Sequence, residues 1–76
     1  TARREIEQSV AAIYREQERI RANLEVVESG TPLHRRYIDT LTAQEDELER
    51  LATRLVRAQA DERAARDALT RYLDGL

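Results

Sequence analysis

The sequence predicts an all-α protein, an antiparallel two-helix coiled-coil hairpin whose second helix is the longer. One helix-breaking stretch, Ser29-Gly30-Thr31-Pro32, separates two segments rich in Ala, Leu, Glu, Arg and Gln, residues that lose little freedom in a helix. Apolar residues on both sides recur at alternating steps of three and four, the spacing of a left-handed coiled coil. The two series also mirror each other across the break.

Helix 1 is expected over residues 2–28, roughly 40 Å at about 1.5 Å per residue. Its seam is Ile6, Val10, Ile13, Gln17, Ile20, Leu24 and Val27. In the turn, 29–32, Gly30 is expected to close helix 1 just past its last turn. Thr31 then caps helix 2, with Pro32 at the first helical position, where its missing N–H is harmless. Helix 2 is expected over residues 32–74, roughly 64 Å long. Its seam runs His34, Tyr37, Leu41, Gln44, Leu48, Leu51, Leu55, Ala58, Glu62, Ala65, Leu69, Tyr72 and Leu76.

Folding back at this turn pairs each seam residue of helix 1 with one of helix 2. Val27 meets His34, Leu24 meets Tyr37, Ile20 meets Leu41, Gln17 meets Gln44, Ile13 meets Leu48, Val10 meets Leu51 and Ile6 meets Leu55. The midpoint of every pair falls between Gly30 and Thr31, where the turn residues independently place the reversal. The two polar interruptions, Gln17 and Gln44, thereby land opposite one another. A shifted register would leave each amide against an aliphatic side chain, at about 1 to 3 kcal/mol per unsatisfied group. Gln17 and Gln44 are therefore expected to set the register, as single buried polar residues do in other coiled coils. In the alternative reading, both amides reach out to water at the edge of a narrow core. If Gly30 and Pro32 failed to turn, the chain would instead be one long kinked helix pairing with a second copy.

The same pairing gives Ala58 a partner at Arg3 and leaves Glu62 and everything beyond it without one. Helix 2 overhangs by about four turns, and Ala64, Ala65, Ala68, Leu69, Tyr72, Leu73 and Leu76 make an apolar stripe along the overhang. Ala65, Leu69, Tyr72, Leu73 and Leu76 are the expected association residues. Tyr14, Ile38, Ala52 and Leu73 widen the apolar face beside the seam, and a chain of 76 residues without Cys has no disulfide to reinforce a small core. Dimerisation into a four-helix assembly is expected.

Composition narrows the function. All thirteen basic residues are Arg, and against fifteen Asp and Glu they leave a net charge of −2. No excess of positive charge draws such a chain to nucleic acid. No apolar run approaches the roughly 20 residues of a membrane span. Catalytic, cofactor and metal residues are expected to be none, with no small-molecule substrate. In the acidic cluster Glu45-Asp46-Glu47 with Glu49, consecutive residues point about 100° apart along a helix, so the cluster is expected to be a solvated face and not an ion site. Asp46 with Arg50, Glu62 with Arg66 and Asp67 with Arg71 stand at the spacing of helix-stabilising ion pairs. His34 is the only histidine, and one imidazole makes no metal site. Arg21, Arg35 and Arg36 form a basic tip near the turn, which gives the alternative function, an RNA-contacting helical arm. Glu25 and Glu28 at the same tip, and the absence of interleaved aromatics for stacking, weigh against it.

The stretches Gln17-Glu18-Arg19-Ile20-Arg21-Ala22-Asn23-Leu24, Arg36-Tyr37 with Leu41, and Gln44-Glu45-Asp46-Glu47-Leu48-Glu49-Arg50-Leu51 resemble the C-terminal helical region of a bacterial family. That family carries a domain of unknown function and is grouped with mucoidy inhibitor A. The resemblance covers most of the chain and implies a coiled-coil hairpin beside a β-rich portion, to which Arg71-Tyr72-Leu73-Asp74-Gly75-Leu76 would return. It transfers no catalytic residue. A chain that opens on Thr1 and contains no Met is expected to be part of a longer protein. The function expected is thus a non-enzymatic structural and protein–protein interaction module, whose partner is a second copy in a homodimer or the rest of its parent protein.

Overall fold

Two helices, α1 (Ala2–Val26) and α2 (Pro32–Asp74), fold back on each other in a computed structural model that describes all residues, Thr1–Leu76. There is no strand, and the molecule is a rod of 68 × 16 × 12 Å. Contacts at the two ends of the shared seam establish the antiparallel direction: Asn23 with Tyr37 near the turn, and Arg3 with Glu62 at the far end. One continuous helix is thereby excluded.

Both helices begin on a threonine. Thr1 Oγ1 accepts from the Arg4 N–H at 3.2 Å, and Thr31 Oγ1 accepts from the His34 N–H at 3.2 Å, so each occupies one of the N–H groups that a helix start leaves without a partner. Pro32 follows Thr31 in the first turn of α2, as expected.

The end of α1 differs from the expectation. The helix stops at Val26 rather than near residue 28, and Val27 is extended at φ −92°, ψ 132°, while its N–H still reaches Asn23 O. Gly30 does not follow the last helical turn; it sits inside a separate reversal. There Glu28 O accepts from both Thr31 N at 3.4 Å and Thr31 Oγ1 at 2.8 Å. The same threonine that caps α2 thus captures the carbonyl of Glu28 and draws the chain out of the helix before glycine is reached. Gly30 has φ +82°, the sign that a type II turn requires at its third residue.

Gly30→Ala is expected to cost about 1 kcal/mol, because an L side chain is strained at this φ even though open space surrounds the added Cβ. Gly75→Ala, at φ −82° with ordinary contacts for its Cβ, is the neutral control. A thermal midpoint for Gly30→Ala equal to that of Gly75→Ala would contradict the strain.

The buried side follows the predicted seam. Ile6, Gln17, Ile20 and Leu51 are buried, and the other seam residues from Val10 to Glu62 are half-buried. With only three apolar side chains fully removed from water, the core is thin, as a two-layer rod must be. Beside the seam, Tyr14, Ile38 and Ala52 are exposed. From Arg63 onward every residue is exposed.

Candidate interaction surface

The predicted site residues divide into three groups along the rod. At the turn lie Gly30, Thr31 and Pro32. Midway along the seam is the polar layer of Gln17 and Gln44. At the far end lies the uncovered arm of α2.

In the polar layer, Gln17 is fully buried and Gln44 half-buried. Gln17 Nε2 donates to Glu45 Oε1 at 2.9 Å. The amide therefore reaches the carboxylate flanking Gln44 and not Gln44 itself, because a charged acceptor at the rim makes the stronger bond. Oε1 of Gln17 and Oε1 of Gln44 are both shut away from solvent and accept no hydrogen bond. A second polar contact that periodicity did not reveal stands a turn and a half toward the reversal, where Asn23 Nδ2 donates to the Tyr37 hydroxyl at 3.3 Å. Both unforeseen partners, Asn23 and Glu45, lie one residue beside the seam, a position that a reading restricted to facing residues does not inspect.

The surface ion pairs also differ from those expected. Arg50 pairs with Glu47 at 2.6 Å rather than with Asp46, since a three-residue step brings the carboxylate to the guanidinium just as directly. Glu62 pairs with Arg3 across the helices at 3.1 Å and not with Arg66. Asp67 and Arg71 form no ion pair in this structure, leaving both side chains to solvent. Arg3 also bonds Glu7, and Arg19 bonds Glu16. The hydrogen bond that Arg3 donates to Glu62 is the main reason that its guanidinium holds its proton more tightly than usual, and Glu16 is held below the ordinary carboxylate range chiefly by the bond it accepts from Arg19. Both arginines are exposed and both glutamates only half-buried, so these surface pairs add little to the stability of the rod.

The Arg3–Glu62 contact marks where α1 stops covering α2. On one side of it a groove of about 500 Å³ runs over Ile6, Ala58 and Ala65, rimmed by Arg54, Arg57 and Asp61. On the other side a second groove, of about 810 Å³, passes Arg3, Glu62, Ala65, Arg66 and Leu69. Ala65 belongs to both, so the two grooves flank the helix face on which α1 would lie if it continued. Farther out, Leu69 is 55 % exposed, Tyr72 67 %, Leu73 54 % and Leu76 86 %. With Ala65, these residues continue the seam of α2 as an apolar stripe that nothing in the chain covers.

The remaining candidates come together nowhere. No three His, Cys, Asp or Glu side chains cluster as a metal ion would require. His34 is half-buried in the first turn of α2. Arg21, Arg35 and Arg36 are exposed, and so are Glu25 and Glu28 among them. No helix is long and apolar enough to cross a membrane. Compared with known proteins, the chain matches no protein-family model, no curated protein and no solved structure.

Proposed function

We propose that this chain is a non-enzymatic interaction module, a coiled-coil hairpin that holds out the last part of α2 for a facing helix. The observation that carries the reading is the abrupt end of cover at Glu62, past which the seam continues through Ala65, Leu69, Tyr72 and Leu76 in unbroken phase. Charged solvent-facing residues would serve equally well on a helix with no partner. Large apolar ones at three of these four seam positions, with Leu73 beside them, incur a cost in water that docking removes. In this reading Gln17 and Gln44 fix the register of the covered part, and the turn residues fix the length of the arm. A role as an inserted arm of a larger bacterial protein, as the resemblance to the mucoidy inhibitor A-like family implies, would set the facing helix in the parent chain or in a second copy.

The docking competence of the arm is testable without knowing the natural partner. A designed helix of about sixteen residues is joined before Thr1, extending α1 along the arm, with Leu at the four positions that face Ala65, Leu69, Tyr72 and Leu76. Each newly buried Leu contributes about 1.5 to 3 kcal/mol before the entropy of ordering the extension is subtracted. The thermal midpoint is expected to rise by about 10 °C over a control extension with Ser at those four positions. Equal midpoints for the two extensions would remove the arm as a docking surface.

A further inference from the structure

We propose that the occupant of the arm is the arm of a second copy, laid antiparallel across a two-fold axis, so that two hairpins join end to end into one two-stranded rod. This rests on the docking role just described and adds the partner, its direction and its register.

Direction follows from continuity with the seam that α1 and α2 already share. The facing helix must occupy the line along which α1 approaches, and α1 itself begins there, over Ala58 and Glu62. A second α2 running parallel to the first would carry its own body into α1. Running antiparallel, it leads away from α1, and its own α1 falls into line beyond the tip of the first α2. Each strand of the rod is then one α1 followed by the other copy's α2. A single two-fold contact covers both arms and closes on itself, so the pairing stops at two chains.

Register follows from the heptad phase, which allows the facing helix to shift only in steps of seven. One step deeper, Leu76 of the second copy would land on Ala58, where Arg3 already lies across the groove. One step shallower, only Tyr72 and Leu76 would be covered. The remaining register sets Leu69 against the second copy's Tyr72 and Ala65 against its Leu76, each contact occurring twice. Small Ala65, at the floor of both grooves, receives the large terminal Leu. On the flank, Arg66 passes its aliphatic stem over the second copy's Leu73 toward that copy's Asp74, and the reverse pair forms across the axis, so the charges complement one another. Leu69, Tyr72, Leu73 and Leu76 are each more than half exposed. Burying them on two chains removes on the order of 1,000 Å² from water, the lower end for a specific interface, which predicts a dimer that dissociates on dilution.

Two measurements on the full chain test this. Solution scattering at high protein concentration is expected to give a particle about 120 Å long, two 68 Å rods overlapping by about 18 Å, twelve helical residues. Side-by-side packing into a four-helix bundle would keep the length near 70 Å and would overturn the arrangement. Equimolar Ala65→Cys and Leu76→Cys chains, mixed and oxidised, are expected to give at least tenfold more disulfide-linked heterodimer than an Ala58→Cys and Leu76→Cys mixture. Equal yields overturn the register. A mass that stays monomeric at every concentration overturns the second copy as partner; if the Leu extension before Thr1 then still raises the thermal midpoint, the docking role survives, and if it does not, both fall.

Discussion

Ile20→Ala is expected to unfold much of the hairpin at 25 °C, with a loss of about 3 kcal/mol and a matching collapse of helical circular dichroism on mild heating. Ile20 is the most deeply buried apolar side chain, 1 % exposed, and only Ile6 and Leu51 share full burial with it. Truncation removes the transfer free energy of three carbons and leaves a hole that two helices alone cannot close from both sides. In a large core that loss would be absorbed by many other contacts. Here it is a major part of the net stability, because a chain of this size has little surplus. Val56→Ala, on a residue 66 % exposed, is the matched control and should change stability by no more than about 0.5 kcal/mol. The measurement is made at low protein concentration, so that the dimer proposed above does not conceal the loss. Equal midpoints for the two variants would show that the seam is not where the stability lies.

The second large effect has the opposite sign. Replacing both glutamines of the polar layer, Gln17→Leu with Gln44→Leu, is expected to stabilise the hairpin by about 2 to 4 kcal/mol and to raise its thermal midpoint by more than 10 °C. Two buried amide oxygens accept no hydrogen bond in the native layer, and each such group costs about 1 to 3 kcal/mol. Only one hydrogen bond is given up, that from Gln17 to Glu45, and Glu45 is exposed, so its carboxylate returns to water without penalty. The leucines fill the layer with apolar volume at seam positions. A midpoint that falls would show that the polar layer stabilises the hairpin outright. Gln44→Leu alone should deliver part of the gain, because it removes one of the two orphaned oxygens and leaves the Gln17–Glu45 bond intact.

These opposite signs on one seam show how far the sequence could be read. Steps of three and four named the residues that turn inward, and every one of them from Ile6 to Glu62 is buried or half-buried in the folded rod. Turn chemistry placed the reversal at residues 29–32, since Gly30 supplies a backbone conformation that few other residues tolerate. The same reading misplaced the end of α1 by two residues, because the competition between one more helical turn and the Thr31–Glu28 contact is a matter of a single hydrogen bond. It also misassigned the ion pairs. Arg50 has carboxylates at three and at four residues' distance, and Glu62 has one arginine along its own helix and another across the seam. Such choices differ by a few tenths of a kcal/mol and are decided by where the side chains stand in space.

What the sequence by itself determined is therefore the set of faces: which residues look inward, where the chain reverses, and which part of α2 has no counterpart in α1. These follow from the period of the helix and the rigid preferences of Gly and Pro, which are local and strong. Only the tertiary structure decided what fills the edges of those faces, that Gln17 bonds Glu45, that Asn23 meets Tyr37, and that Arg3 reaches across to Glu62 and closes the covered seam. Long polar side chains have several partners within reach, and which one wins depends on the spacing of two helices, a distance that no stretch of one helix encodes.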